Sequence, residues 1–105
     1  MNQQVMMRKI MKMKQEMEQT QQEIQESDFT ASSAGIVTVV VKGTKEISEI
    51  KIDEDFELES KDDLDILTDA IIAACNQAYK DVEKTTEEKM AKYQALLGGF
   101  GGGLF

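Results

Sequence analysis

The sequence predicts an α+β fold: a helix, a three-stranded antiparallel meander and a long second helix, in that order. Apolar side chains recur every three or four residues in 3–27 and again in 61–96, which is typical of helices with one buried face. Between these segments, residues 29–52 hold short runs of β-branched residues separated by glycine-containing turns. A chain of 105 residues is enough for one small domain.

The first helix is predicted over residues 3–27, where no proline interrupts a run of good helix formers. Its apolar positions follow the alternating steps of four and three that define a coiled-coil heptad. These positions, called the heptad stripe below, are Met6, Ile10, Met13, Met17, Thr20 and Ile24. Because methionine packs adaptably, the stripe predicts either a dimer seam or a docking groove, and we favour helix packing.

The charges of this helix are divided between its two halves. Residues 1–15 carry four bases and no acid, whereas residues 16–28 carry five acids and no base. The helix dipole favours the opposite order, so local helix stability does not explain the arrangement. The four bases therefore form either a solvated face or a contact for an anionic partner. They are Arg8, Lys9, Lys12 and Lys14.

Three strands are predicted at 29–32, 36–42 and 47–52, separated by turns at 33–35 and 43–44. The middle strand is the richest in β-branched residues and is apolar on both faces. Such a strand needs a helix on one side and further protein on the other. In so short a chain, we expect that further protein to be a second copy.

The second helix follows an acidic connector at residues 53–59. Ser60 and Asp63 form a capping-box pattern, which places the helix start at Lys61. The helix then runs to about Leu96, a length on the order of 50 Å. Its polar far half is expected to project from the body, as the first helix does. Its apolar stripe consists of Leu64, Leu67, Ile71, Ala74, Ala78 and Val82.

Two overhanging helices and a small sheet leave too little core for one chain. The sequence therefore predicts an intertwined homodimer with projecting helical arms. The predicted core and dimer residues are Val37, Val39, Val41, Ile50, Ile52, Leu67, Ile71, Ala74 and Ala78.

Two glycines, Gly98 and Gly99, are expected to end the second helix. The chain then divides into a single dimerising domain at 1–97 and a flexible glycine-rich tail at 98–105. The apolar residues of that tail form either a disordered end or a docking peptide. They are Phe100, Leu104 and Phe105.

The composition argues against several classes of function. The chain has no histidine, so we predict no catalytic residue and no enzyme. The spaced acids Asp53, Asp55 and Glu57 lack the glycine of a calcium loop, because Leu58 takes its position, so no metal or cofactor is predicted. The single cysteine, Cys75, fits a reducing cytoplasm. No apolar run is long enough for a membrane span, and no signal peptide is recognisable.

The net charge of −8 argues at face value against a nucleic-acid partner. The excess, however, is concentrated in residues 53–69, which hold nine acids and one base. An acidic protein can present a basic patch when the two regions are held well over a Debye length apart, about 8–10 Å in physiological salt.

Several short motifs, in order along the chain, resemble those of the YbaB/EbfC family of bacterial nucleoid-associated proteins. The resemblance covers nearly the whole chain, and it is the succession of the motifs that is specific. The matching segments are the Met-, Lys- and Gln-rich 11–17, the glycine–valine hairpin of 35–37 with Val39, Val41 and Gly43, the sheet-closing 50–53, the Asn-x-Ala signature in 73–78, residues 88–90, and the glycine-rich tail that ends in Phe.

This resemblance implies a cytoplasmic, nucleoid-located homodimer whose arms bind duplex DNA with little sequence preference, with an influence on nucleoid organisation or gene expression. The four bases of the first helix would then contact phosphates. The lysines of the second helix are secondary contacts, or else they pair with neighbouring acids within the helix. They are Lys80, Lys84, Lys89 and Lys92.

Two departures from the family pattern are visible. The chain has no proline after Asp53, and its second helix is poor in bases. The alternative to DNA binding is a protein-binding adaptor that uses the methionine-rich arms and the apolar tail.

Overall fold

The computed structural model describes the backbone of residues 2–99 and the side chains of residues 2–96. Five elements follow one another as the sequence predicts: one helix, three strands and a long helix. They are α1 (Gln3–Glu26), β1 (Asp28–Ser33), β2 (Val37–Lys42), β3 (Ile47–Ile52) and α2 (Lys61–Gly99). The described part of the chain is elongated, with extents of 72 × 22 × 15 Å.

Both helices begin at side-chain caps. At the start of α1, the Val5 N–H donates to Asn2 Oδ1 at 2.9 Å. At the start of α2, the Asp63 N–H donates to Ser60 Oγ at 3.3 Å, and the Ser60 N–H donates to Asp63 Oδ2 at 3.1 Å. This reciprocal pair is the predicted capping box. The two glycines expected to stop α2 are themselves helical, because the helix continues to Gly99.

The sheet is an antiparallel meander in the order β1-β2-β3, as predicted. Residues Val37, Val39 and Val41 of β2 point to one face and are at most 2% exposed. Their partners across the β1 ladder are Ser33, Ala31 and Phe29. Because side chains alternate along a strand, these six residues share the same face of the sheet.

The core lies between this face and the inner half of α2. The fully buried residues of α2 recur every four positions, and small side chains let the helix approach the sheet closely. They are Ala70, Ala74, Ala78 and Val82. The predicted stripe is therefore correct in its middle, with Leu67 and Ile71 partly buried beside it. Leu64 is 49% exposed, however, because it lies in the first turn of α2, beyond the packed part of the helix.

The helix covers β1 and β2 but leaves β3 open. Ile47, Ile50 and Ile52 lie opposite Val41, Val39 and Val37, and therefore on the same face of the sheet as the core. Their side chains are nevertheless 43–45% exposed. The predicted core residues Ile50 and Ile52 are thus not buried within one chain.

The turn after β2 holds α1 against the sheet. A Cβ added to Gly43 would lie 1.7 Å from the carbonyl oxygen of Ile24 and 2.9 Å from the Cα of Gln25. The Gly43 N–H donates to the carbonyl of Ser27 at 3.0 Å, so the β1–β2 ladder continues up to the end of α1. Only glycine permits this approach, because the atoms in the way are backbone.

We expect Gly43→Ala to lower the free energy of unfolding by at least about 2 kcal/mol, because the helix end must move away from the hairpin. The measurement is the urea unfolding midpoint. Gly35→Ala is the control: its Cβ meets nothing within 4 Å, although its φ is +67°. That change should cost only about 1 kcal/mol of backbone strain. Equal losses in the two variants would contradict the close-contact explanation.

Candidate nucleic-acid interface

Beyond the sheet, α1 and the outer half of α2 lie side by side and antiparallel. Tyr93 is 3% exposed and packs in a cluster with Met13, Met17 and Met90. Its hydroxyl lies 3.2 Å from Thr20 Oγ1. The inner part of the heptad stripe therefore packs on α2 of the same chain, which confirms its interpretation as a helix-packing surface. We call this two-helix projection, α1 with residues 86–99 of α2, the arm.

The four bases of α1 all lie on the outer half of the arm, and their side chains are all exposed. Arg8 and Lys12 are four residues apart and share the face opposite the heptad stripe. Lys9 and Lys14 flank the stripe on its two sides. Lys9 and Lys12 also line a groove with Met13 and Leu96, which places them beside the outer end of α2.

The antiparallel packing divides the four lysines of α2 into two pairs. Lys89 and Lys92 lie on the arm, on either side of the buried Met90. Lys80 and Lys84 lie on either side of Val82, which belongs to the core beneath the sheet. From the sequence, all four lysines were predicted as one set of secondary contacts. Their division into pairs depends on the register between the helices, which the sequence alone does not show.

The tip of the arm is consequently cationic, since residues 2–15 hold four bases and no carboxylate side chain. Lys89 and Lys92 lie nearer the sheet: their neighbour Tyr93 contacts Thr20, so the acidic half of α1 runs beside them. We call the four bases at the tip the arm-tip cations: Arg8, Lys9, Lys12 and Lys14. Towards the sheet the sign changes at Glu16, which lines the same groove as Lys9 and Lys12.

The ion pairs of the structure leave these cations available. Between residues 2 and 96, one lysine lies within 4.0 Å of a carboxylate: Lys45, whose Nζ is 3.0 Å from Glu83. The predicted ion pairs of Lys80, Lys84, Lys89 and Lys92 with neighbouring acids of α2 are therefore not formed in that part of the chain. Lys92 instead lies over the ring of Tyr93, with its Nζ 4.9 Å from the ring centroid.

The acidic block lies at the other end of α2. Its last member, Asp69, precedes Lys89 by twenty residues of continuous helix, which is about 30 Å at 1.5 Å per residue. That distance is several Debye lengths in physiological salt, so the acidic block hardly weakens the potential at the arm tip.

The remaining candidate groups show no convergent chemistry. Asp53 Oδ1 accepts a hydrogen bond from the N–H of Asp55 at 2.9 Å. The acidic segment that was tested for a calcium-loop pattern therefore forms an exposed Asx turn. Cys75 is partly buried beside the core. Among the described residues, no three His, Cys, Asp or Glu side chains are grouped closely enough to hold a metal ion. No helix within residues 2–99 combines the length and apolar character that a bilayer crossing requires.

The fold and the arm define a class: a small α+β protein that presents a cationic two-helix projection. Comparison with known proteins identifies the family. Residues 1–97 match the sequence model of the YbaB/EbfC DNA-binding family. The chain belongs to this family of nucleoid-associated, DNA-binding proteins.

Curated relatives and a solved structure agree with this assignment. A nucleoid-associated protein of Lachnospira eligens is 42% identical over 86 residues, covering 81% of this chain and 72% of the relative. One from Clostridium novyi is 42% identical over 95 residues, covering 90% and 79% of the two chains. The crystal structure of an uncharacterized Helicobacter pylori protein shares the fold, with a TM-score of 0.64 at 24% identity over 91% of this chain and 98% of that one.

Proposed function

We propose that this protein is a homodimer that binds duplex DNA with little sequence specificity, through phosphate contacts made by the arm-tip cations. The observation that carries the proposal is their grouping: residues 2–15 hold four exposed bases and no acid, and Lys89 and Lys92 serve as secondary contacts on α2. Such a surface attracts any polyanion of sufficient charge density, and duplex DNA carries one negative charge per about 1.7 Å of its axis.

The kind of side chain supports contacts to the DNA backbone rather than to base edges. Three of the four arm-tip cations are lysines, which act as mobile point charges and do not make planar bidentate contacts. Phosphate contacts of this kind position a protein on DNA but carry no sequence information. In this proposal the lysines nearer the sheet, Lys80 and Lys84, make at most marginal contacts.

The second part of the proposal is the dimer. Three isoleucines of β3 are 43–45% exposed on the face of the sheet that α2 covers elsewhere. On the neighbouring strand β2 the same face is at most 2% exposed, so an apolar partner surface is missing beside β3. A second copy supplies one by symmetry, and two arms per dimer double the number of phosphate contacts.

We further propose that residues 1–97 form one dimerising domain followed by a tail at 98–105, and that the protein works in the cytoplasm at the nucleoid. Its role there is architectural or regulatory, affecting nucleoid organisation or gene expression, and not enzymatic. The names of the curated relatives support this location.

One observation favours a second candidate function. Met7 and Met11 are each 59% exposed on a flank of α1 next to the arm-tip cations. Exposed methionines are common at surfaces that bind varied protein partners. A protein-binding adaptor is therefore the alternative, and its apolar contacts would weaken little in salt.

For DNA binding, we expect the two lysine pairs of α2 to behave differently. Lys89→Ala/Lys92→Ala should weaken duplex binding and reduce the slope of log K against log salt by up to about 4, because the dimer loses four phosphate contacts that each contribute about 0.9. Lys80→Ala/Lys84→Ala removes the same charge from the same helix and should change the slope little. The measurement is fluorescence anisotropy of a labelled duplex across a salt series.

The cations of α1 provide the stronger test. Replacing Arg8, Lys9, Lys12 and Lys14 by Ala should reduce the slope by up to about 7, because the dimer loses eight phosphate contacts, and nearly abolish binding at physiological salt. The control replaces Lys42, Lys51, Lys61 and Lys80, which lowers the net charge equally on the body of the protein. Equal loss in both variants would show that net charge, and not the arm tip, governs binding.

For the dimer, we expect Ile50→Glu to convert it to a monomer, because the new carboxylate would be buried unpaired against the second copy. Lys51→Glu introduces the same residue at the next position, on the opposite face of β3, and should leave the dimer intact. Sedimentation equilibrium against the chain mass of 11.8 kDa measures the difference. A parent protein that sediments as a monomer would refute the dimer.

A further inference from the structure

The outer end of the heptad stripe lies exposed at the tip of α1. Met6 is 40% exposed and Met7 is 59% exposed. With Gln3 and Ile10 they line a mostly apolar groove. The inner end of the same stripe is covered by Met90 and Tyr93 of α2. The exposed part of the stripe lies beyond Leu96, the last described side chain of α2.

The register between the helices shows which residues come next. Leu96 lines a groove with Met13, and Tyr93 packs in the cluster with Met17. Because the helices are antiparallel, three further residues along α2 correspond to three fewer along α1. Gly99, the last described residue of α2, is therefore level with Ile10.

The sequence beyond Gly99 continues the pattern of α2. From Met90 the apolar residues Tyr93, Leu97, Phe100 and Leu104 follow in steps of three, four, three and four. The heptad stripe of α1 has the same alternation in the opposite direction, from Thr20 out to Met6. If the register set by Tyr93 and Met17 continued beyond Gly99, Phe100 would come within one residue of the level of Ile10, and Leu104 within one residue of the level of Met6.

The composition of residues 100–105 suits such a site. Their only side chains are three large apolar ones, since the other three residues are glycines. The distance presents no difficulty, because Met6 lies only about 6 Å beyond Ile10 along α1. The glycines disfavour a free helix, so side-chain contacts must hold the segment.

We propose that residues 100–105 of this chain dock on the exposed outer end of its own heptad stripe, with Phe100 and Leu104 covering Ile10 and Met6. The docked segment completes the arm and removes its apolar tip from solvent. Arg8 and Lys12, on the face of α1 opposite the heptad stripe, remain free. The proposal does not depend on DNA binding, because it rests on the packing of α1 against α2.

Disulfide trapping in the full chain tests the proposal. In a Cys75→Ala background, Met6→Cys/Leu104→Cys should form an intrachain disulfide rapidly with oxidised glutathione. Met11→Cys/Leu104→Cys is the matched control: Met11 lies off the stripe and is 59% exposed, so its disulfide should form much more slowly. Non-reducing electrophoresis distinguishes the products. Equal rates in the two variants would overturn the proposal, and so would a disulfide between two chains, which assigns the groove to the tail of a second copy.

A second measurement needs no cysteine. In spectra of methyl-labelled methionine, Phe100→Ala should move the Met6 and Met7 methyl signals towards their unstructured positions, because a ring current is lost. Phe105→Ala removes the same ring from a position outside the steps of three and four, and should leave both signals in place. The Met90 signal reports that the inner arm stays folded. Unchanged Met6 and Met7 signals in Phe100→Ala would refute the docking.

Discussion

The close approach of Gly43 to the carbonyl of Ile24 is the contact on which the shape of this protein depends. Because the hairpin after β2 touches the last turn of α1, the helix leaves the sheet in a fixed direction. The Ser27 Oγ donates to the Glu23 carbonyl at 2.6 Å and so closes the end of the helix at that contact. A helix joined to the sheet only by a flexible loop could take many directions relative to the sheet. Because the contact with Gly43 fixes the direction of α1, the helix runs outward along α2, and the two form one arm.

The position of α1 in the arm gives a different interpretation of its charge pattern from that of an isolated helix. In an isolated helix, bases first and acids last oppose the dipole. In the folded chain the basic half lies farthest from the sheet, beside Leu96, whereas the acidic half lies beside Tyr93 and its neighbours Lys89 and Lys92. Like charges are thus concentrated at one end of the molecule at some cost in stability. Such a concentration is typical of surfaces that bind polyanions, and it is consistent with membership of a DNA-binding family.

The sequence predicted much of the fold because the determining signals are local. The β-branched residues of β2, the capping box at Ser60 and the heptad steps of α1 each act within a few residues, and each was read correctly. The register of α1 against α2 depends on contacts between distant segments such as Thr20 and Tyr93, so the division of the α2 lysines into two pairs was not predictable. The exposure of Ile50 and Ile52 was missed for a related reason: a strand pattern indicates a buried face without indicating which chain buries it.

Net acidity and DNA binding are compatible in this molecule because its long axis separates them. The acids of 53–69 lie at the start of α2 and the arm-tip cations at its end, with about 30 Å of helix between. Screening over several Debye lengths leaves each end with its own local potential. The acidic end then repels DNA only when the duplex runs along the whole molecule, which favours contact through the arm alone. Raising the salt weakens both effects, but in the proposed complex it weakens the attraction more, because there the arm-tip cations contact phosphate directly.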